Sequence, residues 1–306
     1  MLRGVNLRKI KMKILLKILF VTGSVLLLFG ILFLLLRDIN VKKEKPEKSG
    51  ISVESKFSAE LEEAKKKAEE ARIAEENKKR QEEETKKFIA TYGPCRTIPI
   101  LIYHHVDDKQ GSLYVSKTTF AGQMDYLVKR GYSTVTLSDV VESLQGLKTL
   151  PPKPLVITFD DGYQDNYLNA YPVLREKNMK ATFFIISQLV GGGEYLTWQQ
   201  LGEMAGNPLV TIGDHTLSHK AVAMETETQL TDEIISAKNI LESRLGVKVN
   251  TFAYPYGSLN VNADKVLKDG GFVAAVTTQR GLSCAKLPYD LPRIRIGNAG
   301  MANFGL

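Results

Sequence analysis

Between residue 91 and the C-terminus, short apolar runs alternate with stretches of helical periodicity, a pattern that few architectures accept. Residues 98–103, 155–159, 181–186, 209–213, 251–254, 272–276 and 293–296 read as buried strands. Residues 119–130, 167–177, 197–205, 228–245 and 263–269 read as helices. Such alternation over about 210 residues predicts a single α/β domain on a mainly parallel sheet, either barrel-like or doubly wound. In parallel α/β domains the C-terminal strand ends converge on the functional face. Chemistry is therefore sought just past each strand.

Upstream, the chain changes character twice. Residues 18–36 are nineteen consecutive positions without a charge, rich in Leu, Ile, Val and Phe. At ~1.5 Å per residue they span most of a bilayer core. Arg3, Arg8, Lys9, Lys11, Lys13 and Lys17 precede them with no acid, which predicts a cytoplasmic N-terminus and an extracellular C-terminal domain. A cleaved signal peptide would have a shorter apolar core and a small-residue site. Here the run closes on Leu34-Leu35-Leu36-Arg37, with neither an A-x-A site nor a lipobox cysteine, so a single-pass uncleaved anchor is expected. Residues 41–90 then hold fourteen Lys/Arg and thirteen Glu, many at i,i+3 or i,i+4, as in a solvated helical spacer. Its thin stripe of Phe57, Leu61, Ala64, Ala68, Ala71 and Ile73 allows at most weak self-association. The expected organisation is a basic tail (1–17), an anchor (18–36), a charged helical linker (37–94) and a globular domain (95–306).

The formal net charge of +7 belongs to the tail, where residues 1–40 carry seven Lys/Arg against one Asp. Residues 91–306 carry twenty of each sign. A nucleic-acid surface would put the surplus on the folded domain, so that class is excluded.

The four histidines occur as two local pairs, His104-His105 and His215 with His219, each at or just beyond a predicted strand end. The run Thr158-Phe159-Asp160-Asp161-Gly162 ends another strand in the same way. His215 and His219 stand at i and i+4; on a helix both imidazoles would point to one side and hold one divalent metal. Two adjacent carboxylates at a buried strand end need a positive partner. One on a metal and the other free as a base is a natural resolution. A plain strand-to-loop turn is the alternative for Asp160-Asp161-Gly162.

The T-F-D-D-G of Thr158 to Gly162, the H-T-x-x-H of His215 to His219 and the turn Tyr254-Pro255-Tyr256-Gly257, in that order, resemble the first three motifs of the polysaccharide deacetylases. This is carbohydrate esterase family 4, the NodB homology domain, and the resemblance runs from about residue 98 to residue 296. The opening Pro99-Ile100-Leu101-Ile102-Tyr103-His104-His105-Val106 is similar to the branch acting on poly-N-acetylglucosamine, whose barrel order is circularly permuted. The resemblance implies a distorted (β/α) barrel. It implies Asp161, His215 and His219 as metal ligands and Asp160 as general base. Pro255 and Tyr256 would line the sugar site, with the Tyr256 backbone N–H as an oxyanion donor. A histidine of the opening strand would be the general acid, His104 by first choice and His105 by second. The sequence departs from the family at Ala253, where an arginine is usual, and in having no histidine after His219. The permutation accounts for the second departure. For the first, Arg293 or Arg295 on the last strand is expected to supply the positive charge beside Asp160, with only one of them turned inward.

Together with the expected anchor, the resemblance implies a membrane-tethered hydrolase that removes N-acetyl groups from an N-acetylglucosamine polysaccharide, releasing acetate. Its cofactor would be one divalent ion, Zn by its N and O ligands, with Co or Ni also fitting. Peptidoglycan and chitin-like oligomers remain open as substrates. Another barrel metallohydrolase would want H-x-H on one strand, whereas His104 and His105 are adjacent. A glycan-binding barrel without turnover would be marked by a lost ligand or base, and all four are present. Tyr195 and Trp198 read as helix-start packing. Cys95 and Cys284, near the two ends of the domain, are open to pairing outside the cell and are poor metal ligands.

Overall fold

The computed structural model of the protein describes residues 53–306, with side chains from residue 58; the run 18–36 and the basic tail lie outside them. Among the described residues no helix is long and apolar enough to cross a membrane. Helix α1 (Val53–Tyr92) is continuous through the charged region. Pairs such as Lys67–Glu63 at 2.7 Å and Arg72–Glu69 at 2.7 Å decorate it one turn apart. The chain divides between Ala74 and Glu75 into two units, the second reaching Leu306.

Past the helix the chain forms β1 (Cys95–Arg96), β2 (Ile100–Tyr103), β3 (His105–Val106) and β4 (Tyr114–Val115), then α2 (Lys117–Lys129) and β5 (Ser133–Thr134). Next come α3 (Leu137–Leu144), β6 (Pro154–Phe159), a π-helical turn (Asn166–Ala170) and α4 (Tyr171–Glu176). The order continues β7 (Ala181–Ile185), α5 (Trp198–Ala205), β8 (Val210–Asp214), α6 (Glu227–Leu245) and β9 (Thr251–Ala253). It ends with α7 (Val261–Asp269), β10 (Ala274–Val276), β11 (Ser283–Cys284) and β12 (Ile294–Arg295). The strand–helix alternation holds. Helix α3 is not among the expected helices, although Leu137, Val140, Val141 and Leu144 keep helical spacing and Thr136 and Asp139 close a capping box at its start.

The main sheet runs β10-β9-β8-β7-β6-β2-β12, all parallel, with β5 added beside β6. The segment before β12 closes it. Leu291 N–H donates to Ala275 O at 2.9 Å, Thr277 N–H to Leu291 O at 2.9 Å and Arg293 N–H to Gln279 O at 2.8 Å. Residues 291–295 thus join β10 to β2, and the sheet curls into a distorted barrel.

Strand alternation divides the core. Leu101 and Tyr103 of β2, Leu155, Ile157 and Phe159 of β6 and Phe183 of β7 face the helices, packing on Phe120, Met124 and Leu174. Ile100, Val156, Phe184, Ala253 and Val276 face the other way, into a second cluster with Val140 and Leu144 of α3. Gly213 in β8 is required by this packing. A Cβ there would lie 2.4 Å from the Phe184 ring. Cys95 and Cys284, opposite one another in the β1–β11 ladder, form a disulfide.

Candidate functional site

The alternation that puts Val156 inside the barrel puts Thr158 and Asp160 there as well, two and four residues on. Asp160 N–H donates to Tyr103 O at 3.0 Å, carrying the β2–β6 ladder one step past the strands. Arg293 rises through the interior, its guanidinium near the Phe184 ring. It donates to both carboxylate oxygens of Asp160 at 2.7 Å, to Thr158 Oγ1 at 3.0 Å and, through Nε, to Thr277 O at 2.7 Å. Burial pushes the Asp160 carboxyl up, but Arg293, His215 and His104 outweigh it and hold the group below its ordinary value.

Asp161 leaves the strand at φ 72°, in the left-handed region, and so turns its carboxylate away from Asp160. Its Oδ1 lies 3.3 Å from His215 Nε2 and 3.2 Å from His219 Nε2. The two histidines are not on a helix, so the condition under which their spacing alone would align them is not met. They flank a loop in which Thr216 and His219 are both left-handed, at φ 65°. Thr216 N–H donates to Asp214 Oδ1 at 2.7 Å and His219 N–H to Thr216 Oγ1 at 2.9 Å. The buried Glu233 of α6 accepts from Ser218 N–H and from its hydroxyl. Of the six non-glycine residues with positive φ among those described, Asp161, Thr216, His219 and Tyr256 stand here, and such strain collects where function requires it.

His215 Nδ1 lies 2.7 Å from Ala253 O. A carbonyl only accepts, so Nδ1 carries the hydrogen and Nε2 of the neutral ring presents a lone pair to the Asp161 carboxylate. Two lone pairs face each other there, an arrangement favourable only with a cation or a proton between them. Asp161 with His215 and His219 is the group among the described residues with ligand atoms close enough for a metal, all within 4.8 Å. One carboxylate oxygen and two imidazole nitrogens fit a divalent ion and leave positions open. Without an ion, burial lowers His215, yet the two aspartates overcome it and raise the group.

His104 follows Ile100 and Ile102 on the inner face, beside this centre. Burial lowers its pKa from the ordinary value, opposed by the charges of Asp160 and Asp161. His105 faces outward, 2.6 Å through Nδ1 from Asp165 Oδ2, with its ring between Tyr114 at 4.1 Å and Tyr163 at 3.6 Å. Tyr256 stands at the rim, 69% exposed, with its hydroxyl 3.2 Å from His219 Nδ1, after the buried Pro255. Ala253, in the place of the family's arginine, belongs to the inner cluster, and Arg293 brings the charge from another strand. Arg295 does not contact Asp160. Residues two apart share a strand face, so alternation does not separate the arginines. Burial does: Arg293 is buried in the interior, while Arg295, in register with Ile102 on β12, is exposed and near enough to act on His104.

Tyr195 is no helix-start residue. It pairs across a bridge with Tyr163, and their rings stack at 5.3 Å next to Asp161. Trp198 does pack on the core, with Arg244 over its ring. Asp165, Asn166 and Tyr163 were missed because no periodicity or motif marks them; their place directly after Asp160-Asp161-Gly162 was the available signal.

Fold and site together define a hydrolase built on a parallel (β/α) barrel, with an aspartate–histidine centre at the strand C-termini. The chain belongs to the polysaccharide deacetylase family, which residues 147–275 match directly. It is 34% identical over 223 residues to YxkH of Bacillus subtilis, whose name places it in the same family, covering 72% of this chain and 79% of that protein. It is 26% identical over 241 residues to the poly-β-1,6-N-acetyl-D-glucosamine N-deacetylase of Escherichia coli K12. That match covers 64% of this chain and spans 36% of the longer E. coli protein. The Streptococcus pyogenes deacetylase PplD, solved in complex with acetate, superposes with a TM-score of 0.64 at 28% identity, over 68% of this chain and 96% of that one. The protein is thus an enzyme of carbon–nitrogen bond hydrolysis.

Proposed function

We propose that the protein is a metal-dependent de-N-acetylase of an N-acetylglucosamine polymer, held at the outer face of the cell membrane by residues 18–36. One observation carries the reading of the site. Two adjacent carboxylates have been given different partners, Asp160 the Arg293 guanidinium and Asp161 the two imidazoles. Asp161, His215 and His219 would hold the ion, Zn by its donor set, with Co or Ni also accepted. Such an ion supplies Lewis acidity, polarising the amide carbonyl and lowering the pKa of water.

The residues of the chain do the rest. Asp160 takes a proton from the attacking water as its oxygen bonds to the acetyl carbon. Arg293 keeps Asp160 ionised and aimed. The Tyr256 N–H, on a left-handed turn beside His219, donates to the developing oxyanion. His104 as imidazolium gives its proton to the leaving nitrogen when the C–N bond breaks, so amide and water become acetate and amine. Exposed Tyr256, and Tyr195 as the outer ring of the His105–Tyr163–Tyr195 stack, offer flat faces to sugar rings.

The E. coli relative's named substrate and the opening His104-His105 favour poly-N-acetylglucosamine over peptidoglycan or chitin oligomers. Nineteen uncharged residues behind six basic ones support the anchor and a cytoplasmic N-terminus. Acetate release by the full-length protein, with and without chelator, on each of the three polymers tests the proposal. Release from poly-N-acetylglucosamine that chelator abolishes supports it. Release unaffected by chelator, or from none of the polymers, overturns it.

A further inference from the structure

The loop that carries Asp160 and Asp161 continues into a π-helical turn, an uncommon element that collects at functional sites. Its residues hold one short piece of backbone. Asp165 Oδ1 accepts from Val106 N–H at 3.1 Å, Asn166 Nδ2 donates to His104 O at 2.7 Å, and Asn169 Nδ2 donates to Val106 O at 2.8 Å. Asn166 is fully buried and also donates to Asp165 Oδ1 at 2.9 Å. The other Asp165 oxygen meets His105 Nδ1 at 2.6 Å, and the His105 ring is wedged between Tyr114 and Tyr163.

Nothing in the chemistry proposed above uses this cluster. Buried backbone groups need partners wherever they fall, but here those of His104 and Val106 are met from one short turn, by Asp165, Asn166 and Asn169. Residues 104–106 leave the barrel just where β2 ends; the short β3–β4 ladder and the bond from His105 N–H to Leu113 O hold them on one side, and the cluster holds them on the side of the aspartates. The cluster ties the His104 backbone to the segment that carries the two aspartates, so that acid and base move as one body. The outward face of His105 locks the inward face of His104.

We propose that Asp165, Asn166 and Asn169, with His105, form a positioning clamp that sets His104 against Asp160 for proton delivery to the leaving nitrogen. The proposal rests on His104 being the general acid. The decisive experiment is a double-mutant cycle on the full-length protein, with Asp165→Asn made in the wild type and in His104→Ala. Acetate release from a soluble N-acetylglucosamine oligomer gives kcat and KM, and metal content is measured in parallel. Asp165→Asn keeps the shape and the acceptor for Val106 N–H but places an amide against His105.

The expected result is a fall in kcat of roughly 10- to 100-fold in the wild type, the scale of a misplaced catalytic group, with KM and metal content unchanged. In His104→Ala the same change should cost less than about 2-fold. Equal losses in both backgrounds, or loss of metal, would overturn the clamp. A His104→Ala protein that retains wild-type turnover would instead remove the acid assignment, a separate failure. Should Asp165→Asn not fold, Asn169→Ala, which deletes only the bond to Val106 O, enters the same cycle with the same outcomes.

Discussion

Arg293 and Asp160 share two parallel hydrogen bonds of 2.7 Å inside the barrel, between strands 133 residues apart in sequence. A paired carboxylate in that setting is ionised and aimed, and its guanidinium is committed three further times by Thr158, Thr277 and the Phe184 ring.

Arg293→Met should therefore destabilise the fold by about 3–5 kcal/mol at neutral pH, because it leaves the buried carboxylate without its counter-charge. Asp160 is held below its ordinary value of 3.8 when folded. The stability it contributes is thus complete above that value and is lost as pH falls through the lower folded one. Denaturant unfolding at pH 7 and pH 3 should show the wild-type advantage over Arg293→Met shrinking in acid. A difference that does not change with pH would place the effect in packing.

Elemental analysis of the full-length protein should find about one divalent ion per chain, lost in His219→Ala and in Asp161→Asn. Both changes remove a ligand from a set of three. Full occupancy in either variant would remove the site.

Asp160→Asn should keep the metal and lose turnover by roughly two to four decades, the scale of acid–base catalysis. Asn also weakens the pairing of Arg293, so a lowered melting temperature is expected alongside. Near-wild-type rates in a folded Asp160→Asn protein would mean that the two aspartates have exchanged roles.

For His104 the sign follows from protonation. A general acid must carry its proton, so kcat/KM should fall as pH rises through the His104 pKa. Burial lowers that pKa from its ordinary 6.5, which puts the descending limb on the acid side of the usual histidine range. His104→Gln should lower turnover and erase this limb while metal stays bound. His105→Ala is no silent control, because it opens the stack between Tyr114 and Tyr163 and strips Asp165 of its partner. It should cost about 1–3 kcal/mol in stability. A profile whose descending limb survives His104→Gln would reassign the acid.

Much was legible in residue order. The seven predicted runs match the seven strands that make the barrel; in β2, β6, β7, β9 and β10 burial on both faces leaves a continuous apolar signal, whereas β12 is half-exposed and alternates Arg with Ile. Helix α3 was legible too: Leu137, Val140, Val141 and Leu144 stand at i, i+3, i+4 and i+7 behind the Thr136–Asp139 capping box, and its omission from the expected helices has no physical ground in its sequence. The H-x-x-x-H spacing pointed to the right pair for a wrong local reason. Two left-handed residues and the Glu233 contacts bring the rings together, where the spacing alone would have needed a helix.

The sequence by itself determined the parallel α/β plan, the family and the residue types that gather at the strand ends, since these follow from local periodicity and short motifs. Only the tertiary structure decided which members of each pair act. His104 points inward because β2 continues the parity of Ile100 and Ile102, and Arg293 reaches Asp160 because residues 291–295 close the barrel with Arg293 buried and Arg295 exposed. Parity and burial in a closed barrel are properties of strands joined across the whole chain. No stretch of neighbouring residues contains them.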